Sequence, residues 1–174
     1  MSGRAEASEV RILALGDSLT AGYGLARSEG FVAQLEAALR AKGVPARVLD
    51  GGVSGDTTAG GRARLDWALA DRPDVAIVAL GGNDGLRAIP PEATHANLDA
   101  ILRRLAERKV PALLVGMLAP PNLGPAYEEA FAAVFPRVAQ RHGAELIPFM
   151  LEGVAGDPTL NLPDGIHPNA EGQQ

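Results

Sequence analysis

A serine hydroxyl becomes a nucleophile only when a neighbouring base takes its proton, and this chain holds few side chains fit for that task. It has three histidines and no cysteine. His95 and His142 fall in segments of helical period, and His142 stands just before Gly143, where a helix end would favour a cation. Both read as structural or solvated positions. His167 lies instead in the stretch Pro163-Asp164-Gly165-Ile166-His167-Pro168, with a carboxylate three residues before it. A carboxylate so placed can accept from the imidazole, fix its tautomer and stabilise the imidazolium. The candidate hydroxyl is Ser18, in Gly16-Asp17-Ser18-Leu19-Thr20. The chain order Ser, Asp, His is one of the known triad orders. A tetrahedral intermediate also needs donors aimed at its oxyanion. The backbone N–H groups of Ser18 and Gly55 and the side-chain amide of Asn83 are the candidates. Together these segments supply the parts of an acyl-transfer site.

Those segments need elements to bring them together. Val10–Leu15 is a buried-strand run, followed by a helical pattern from Ser28 to Lys42 that Gly43 and Pro45 terminate. Arg47–Leu49 predicts a second strand, and Thr58 to Asp71 a helix carrying Leu65, Ala68 and Leu69. Val75–Leu80, apolar throughout, predicts a strand covered on both faces. Pro91 to Arg108 carries a stripe of Leu98, Ile101, Leu102 and Leu105, and Val110–Val115 follows as the fourth strand. A helix begins at Pro125, with Pro136 expected to kink it, and Gly143 closes it before a short strand at Glu145–Ile147. Trp67 and Tyr127 sit within helical patterns and read as packing residues. Strands alternating with helices predict one three-layer α/β/α domain over residues 1–174, with residues 1–9 disordered. In open parallel sheets, ligands bind beyond the carboxyl ends of the strands. Ser18, Gly55 and Asn83 follow the first, second and third strands, and the Asp164/His167 stretch follows the fifth.

Composition closes off other classes. Sixteen Lys and Arg against 21 Asp and Glu give a net charge of −5. The densest basic stretch, Arg103-Arg104 with Arg108-Lys109, reads as one solvated helix face, so no nucleic-acid partner is expected. Without cysteine, disulfides, thiolate metal sites and cysteine nucleophiles are excluded. No apolar run approaches the length of a membrane span, so no stable membrane insertion is expected. Met1 to Glu9 lacks the apolar core of a signal peptide. The expected compartment is the cytoplasm, or the periplasm or exterior if a leader has been removed.

Gly16-Asp17-Ser18-Leu19 resembles the first block of the GDSL, or SGNH, hydrolase family. Gly55 in Ser54-Gly55-Asp56-Thr57 resembles its glycine block, Gly81-Gly82-Asn83-Asp84 its asparagine block, and Asp164-Gly165-Ile166-His167 its Asp-x-x-His block. The four blocks stand in the family's order over residues 12 to 168. The fuller strings Gly-Asp-Ser-Leu-Thr-Ala-Gly-Tyr-Gly, Gly-Gly-Asn-Asp-Gly-Leu-Arg and Asp-Gly-Ile-His-Pro-Asn resemble the bacterial arylesterase and thioesterase I/lysophospholipase branch. The resemblance implies a flavodoxin-like five-stranded parallel sheet of order 2-1-3-4-5. It implies Ser18 as nucleophile, His167 as base and Asp164 as its orienter, with Ser18, Gly55 and Asn83 as the oxyanion hole. It implies hydrolysis of small-molecule carboxylic esters of short or medium acyl chains or aryl groups, with no cofactor and no metal. Thioester, lysophospholipid and carbohydrate-ester hydrolysis share the same acyl-enzyme step and remain open. The resemblance also places Gly85–Pro90 and Leu118–Pro125 beside the substrate. Leu86, Ile89, Leu118 and Leu123 are then expected to line an apolar channel, and Tyr23 to lie near the substrate. A final helix normally follows the His block, so residues beyond Gln174 are expected, and without them one sheet face is thinly covered.

Two rival readings come from the same sheet edge. Gly16-x-Ser18-x-Thr20 lacks the second glycine of a Gly-x-Ser-x-Gly elbow, which disfavours the larger α/β-hydrolase fold. Asp50, Asp56 and Asp84 could instead hold Mg²⁺ in a phosphate- or nucleotide-binding module. That reading leaves Ser18, Asn83 and the Asp164/His167 pair without a task. Asp17, beside Ser18, is read as bracing the turn through backbone hydrogen bonds.

Overall fold

The structure, a computed structural model, describes residues 8–174. Residues 1–7, most of the segment expected to be disordered, lie outside the described residues. Five strands, β1 (Val10–Gly16), β2 (Ala46–Gly52), β3 (Val75–Ala79), β4 (Ala112–Val115) and β5 (Glu145–Ile147), form one parallel sheet. Its order is β2-β1-β3-β4-β5, as the resemblance implies. The helices are α1 (Ser18–Ala21), α2 (Phe31–Ala41), α3 (Thr58–Ala68), α4 (Gly82–Leu86), α5 (Pro91–Glu107), α6 (Pro125–Ala132) and α7 (Val134–His142).

Alternation along the strands sends side chains into two cores. Leu13 and Leu15 of β1 join Leu65 of α3, Leu98, Ile101 and Leu105 of α5, and Phe135 and Val138 of α7. Ile12 and Ala14 face the other way, onto Val48 and the half-buried Phe31, Leu35 and Leu39 of α2. The α5 stripe predicted from spacing is buried throughout, and each such side chain contributes about 1.5–3 kcal/mol. On the opposite face no residue of α2 is fully buried, and Ile147 at the end of β5 is 43% exposed. The helix from Pro125 is divided at Ala133, because Pro136 has no N–H to return to the carbonyl four residues back. β4 starts at Ala112 rather than Val110, since Pro111 cannot donate to a ladder, though its carbonyl accepts from Ala76 N–H at 2.9 Å. Trp67 is corrected from packing residue to surface: it is 78% exposed, on the side of α3 away from Leu65 and Ala68. Among the described residues no helix is long and apolar enough to cross a membrane.

The strand register levels the site. Gly16 pairs with Gly52 of β2 and with Ala79 of β3, so these three strands end side by side. Each then releases one of the loops that carry Ser18, Gly55 and Asn83.

Candidate active site

Ser18 opens α1, a single turn too short to show periodicity. Asp17 caps it: its Oδ1 accepts from Leu19 N–H at 3.0 Å, the bracing role expected of it. Burial pushes the Asp17 carboxyl above its ordinary range, against the lowering effect of that backbone bond. Two glycines allow the turn to sit this close to the sheet. A Cβ on Gly16 would collide with the Thr20 side chain, and one on Gly52 with the Ala21 backbone.

The base arrives from the far end of the chain. Ser18 Oγ lies 2.9 Å from His167 Nε2, and His167 Nδ1 lies 2.7 Å from Asp164 Oδ2. The other Asp164 oxygen accepts from the N–H groups of Ile166 and His167, at 2.9 and 3.0 Å. The imidazole bond, followed by these two backbone bonds, holds the Asp164 carboxyl down to about 2. An ionised Asp164 accepts only, so Nδ1 carries the proton and Nε2 presents its lone pair to the serine hydroxyl. The Tyr23 ring packs on the imidazole with centroids 4.5 Å apart.

No regular element holds residues 154–172. Asn161 Nδ2 donates to the carbonyls of Val154 and Asp157, both at 2.7 Å. Asn169 Nδ2 donates to Thr159 O at 2.8 Å, and Leu162 N–H closes on His167 O at 2.7 Å. Sequence reading missed both asparagines; the signal was there, since asparagine side chains commonly stand in for backbone partners in turns.

The donor side is built by α4 and the loop after β2. Val53 to Asp56 form a turn closed by Asp56 N–H to Val53 O at 3.0 Å, with Gly55 at φ +81° in its third position. Among the described residues, neither the Ser18 nor the Gly55 N–H donates to a protein acceptor. Asn83 Nδ2 donates to Asp56 O at 2.8 Å and reaches Asp17 Oδ2 at 3.3 Å. The contact to Asp17 is the longer and weaker of the two.

Ser18, Gly55, Asn83 and His167 border one cavity of about 320 Å³, whose walls include Tyr23, Leu86, Met117, Leu118, Phe149, Leu151 and Ile166. The structure thus brings Tyr23, Leu86 and Leu118 to the cavity. Ile89 and Leu123 do not line it, a correction with a local cause. The chain reverses at Ala88 (φ +51°), and Ile89 is held by its carbonyl to the Tyr127 hydroxyl at 2.6 Å. Leu123 closes a 3₁₀ turn before the bend at Gly124. Met117, Phe149, Leu151 and Ile166 were not singled out from sequence, where nothing distinguishes them from core residues.

The three carboxylates of the Mg²⁺ reading do not converge. Asp84 is buried and accepts from Thr58 N–H and from the hydroxyls of Thr58 and Thr94. Asp56 pairs with Arg64 at 2.7 Å, and Asp50 accepts from Gly52 N–H. Among the described residues no group of three or more His, Asp or Glu side chains is set to hold a metal ion. His142 bonds to Asp99 at 2.8 Å, a structural partnership, and His95 lies on α5 outside the cavity lining.

A family model described as the GDSL-like Lipase/Acylhydrolase family matches residues 14–174. The chain is 42% identical to a Pseudomonas aeruginosa protein named Esterase TesA over 94% of this chain and 82% of that one. It is 39% identical to an Escherichia coli K12 protein named Thioesterase 1/protease 1/lysophospholipase L1, over 98% of this chain and 80% of the other. The crystal structure of AlinE4, described as an SGNH-hydrolase family esterase, superposes with a TM-score of 0.89 at 48% identity, covering 97% of this chain and 90% of that one.

Proposed function

The chain belongs to the GDSL-like lipase/acylhydrolase family and is a serine esterase; from that premise we propose that Ser18 is its nucleophile and that the cavity beside it takes short or medium acyl groups. His167 Nε2 accepts the Ser18 proton as Oγ attacks the ester carbonyl, and the imidazolium then protonates the leaving alkoxide. Water, deprotonated by the same imidazole, attacks the acyl-enzyme and releases the acid, returning the proton to Ser18. The Ser18 and Gly55 N–H groups and the Asn83 amide bind the oxyanion in both steps. Asp164 stays charged and orients the ring.

The observation that carries this reading is the relay itself: 2.9 Å from Ser18 Oγ to His167 Nε2 and 2.7 Å onward to Asp164, at the edge of a cavity. The cavity supports the substrate assignment. About 320 Å³ is at the lower end of the roughly 300–1,000 Å³ usual for ligand sites, and its walls are apolar. An apolar wall disfavours the carbohydrate esters left open by the family resemblance. Thioesters are the second reading, supported by the likeness to the E. coli protein named thioesterase.

The test is hydrolysis of p-nitrophenyl esters from acetate to palmitate by wild type and Ser18→Ala. Expected is an optimum at short or medium chains and a loss of at least about 10³-fold in the variant. Equal activity in both proteins removes Ser18 from the mechanism. Labelling of wild type but not Ser18→Ala by a fluorophosphonate identifies the nucleophile independently of substrate. Acyl-CoA cleavage faster than ester cleavage at matched chain length would favour the thioester reading.

A further inference from the structure

Ser18 and His167 are 149 residues apart in the chain and share one hydrogen bond. The turn that follows α1 adds further contacts between them. Tyr23 N–H donates to the Ser18 carbonyl at 3.1 Å, which ties this residue to the nucleophile turn. The Tyr23 ring then lies against the His167 imidazole, with centroids 4.5 Å apart and planes tilted by 35°. Gly24, at φ +77°, meets the same segment: a Cβ there would stand 2.7 Å from Leu162 Cδ1. Leu162 in turn donates its N–H to the His167 carbonyl at 2.7 Å. Tyr23 and Gly24 thus form a seat for the segment that carries the base.

Tyr23 is 53% exposed, so it serves the core little. What it offers is a flat surface beside the imidazole. The two hydrogen bonds of that ring, to Ser18 Oγ and Asp164 Oδ2, are made at its nitrogens. Such bonds are directed along the N–H or the lone pair, in the plane of the ring. They fix where the nitrogens sit but resist only weakly a tilt about the line joining them. A second ring packed on the imidazole face acts across that plane and opposes the tilt. Aromatic pairs at this separation favour defined relative orientations.

We propose that Tyr23 is a positioning residue for His167, holding the imidazole plane so that Nε2 stays directed at the Ser18 hydroxyl. This rests on the reading of His167 as the base. Tyr23 exchanges no proton in the reaction. It acts by keeping the base in attacking geometry, where a misplacement of about 1 Å can cost roughly 10²-fold in rate.

The experiment compares wild type, Tyr23→Ala, Tyr23→Phe and His167→Ala on p-nitrophenyl acetate and on the longest p-nitrophenyl ester that wild type turns over. Tyr23→Ala is expected to lower kcat roughly tenfold, within what an aromatic pair can contribute, with KM held within about twofold. The loss should be equal for the two esters, because the base serves every substrate alike, whereas a wall of the acyl cavity would raise KM more for the longer chain. Tyr23→Phe keeps the ring and should recover most of kcat. In the substrate-free protein, the far-downfield proton resonance of His167 Nδ1 should broaden in Tyr23→Ala and sharpen again in Tyr23→Phe. A wild-type kcat in Tyr23→Ala, a loss confined to KM or growing with chain length, or an unchanged Nδ1 resonance overturns the proposal. If His167→Ala is inactive and Tyr23→Ala is not impaired, the proposal fails while the reading of the base stands. If His167→Ala keeps wild-type activity, that reading fails and takes the proposal with it.

Discussion

The hydrogen bond from Ser18 to His167 is productive only while the imidazole carries a single proton. Protonation of Nε2 removes the lone pair that accepts from the hydroxyl, so kcat/KM should fall once the ring is protonated. Asp164 does not share in that loss. Its carboxyl is held from 3.8 down to about 2 by the imidazole and two backbone N–H groups. The stability it contributes is therefore present above its unfolded value and fades only as pH falls toward about 2. The acidic limb of a logarithmic pH–rate plot should have a slope of one; a slope of two would mean that a second group titrates with the base. That Ser18, Asp164 and His167 come together was legible because acyl transfer requires those residue types and the chain offers only three histidines. Asn161 and Asn169 carry only the general turn signal of asparagine, and the carbonyls that their amides serve are set by the fold. Ile89 was misplaced for a related reason: the left-handed Ala88 beside it reverses the chain without a glycine to signal the turn.

Elements with a long enough period were readable, and single turns were not. The 17 residues of α5 display their stripe over several turns, whereas α1 and α4, with four and five residues, hold the chemistry yet have too few positions to show one. What joins α5 to α7 was also hidden in sequence. Asp99 of α5, nearly buried, accepts from His142 at 2.8 Å and pairs with Arg141 at 3.2 Å, both on α7. The His142 bond, ahead of the nearby arginine charges, draws the Asp99 carboxyl below its ordinary 3.8. A carboxylate so lowered contributes stability above its unfolded value and loses it as pH falls. Asp99→Ala should therefore cost about 1–2 kcal/mol at pH 7, measured by urea denaturation. The difference from wild type should shrink as pH is taken below 4, and a difference independent of pH would assign the effect to packing alone.

At the scale of the whole molecule the two sides of the sheet are unequal. Phe131 is fully buried beside Phe135, with ring centroids 5.5 Å apart. Phe31, on the α2 side, is only half-buried. Phe131→Ala should cost about 3–5 kcal/mol and Phe31→Ala about 1–2 kcal/mol, compared by denaturant midpoints at constant slope; equal losses would show that both faces are packed alike. The proposed nucleophile and base are anchored just as unevenly. Ser18 follows β1, an interior strand of the sheet, and its position is secured by the same packing that holds the fold. His167 rides on a strap tied down by asparagine amides, with residues 163–166 exposed to solvent. Segments held in this way can open locally with only part of the free energy of global unfolding. Warming should then part His167 from Ser18 while the sheet is still intact. The temperature at which turnover stops and the temperature at which the protein melts are set by different parts of the chain, and strengthening the core would raise only the second.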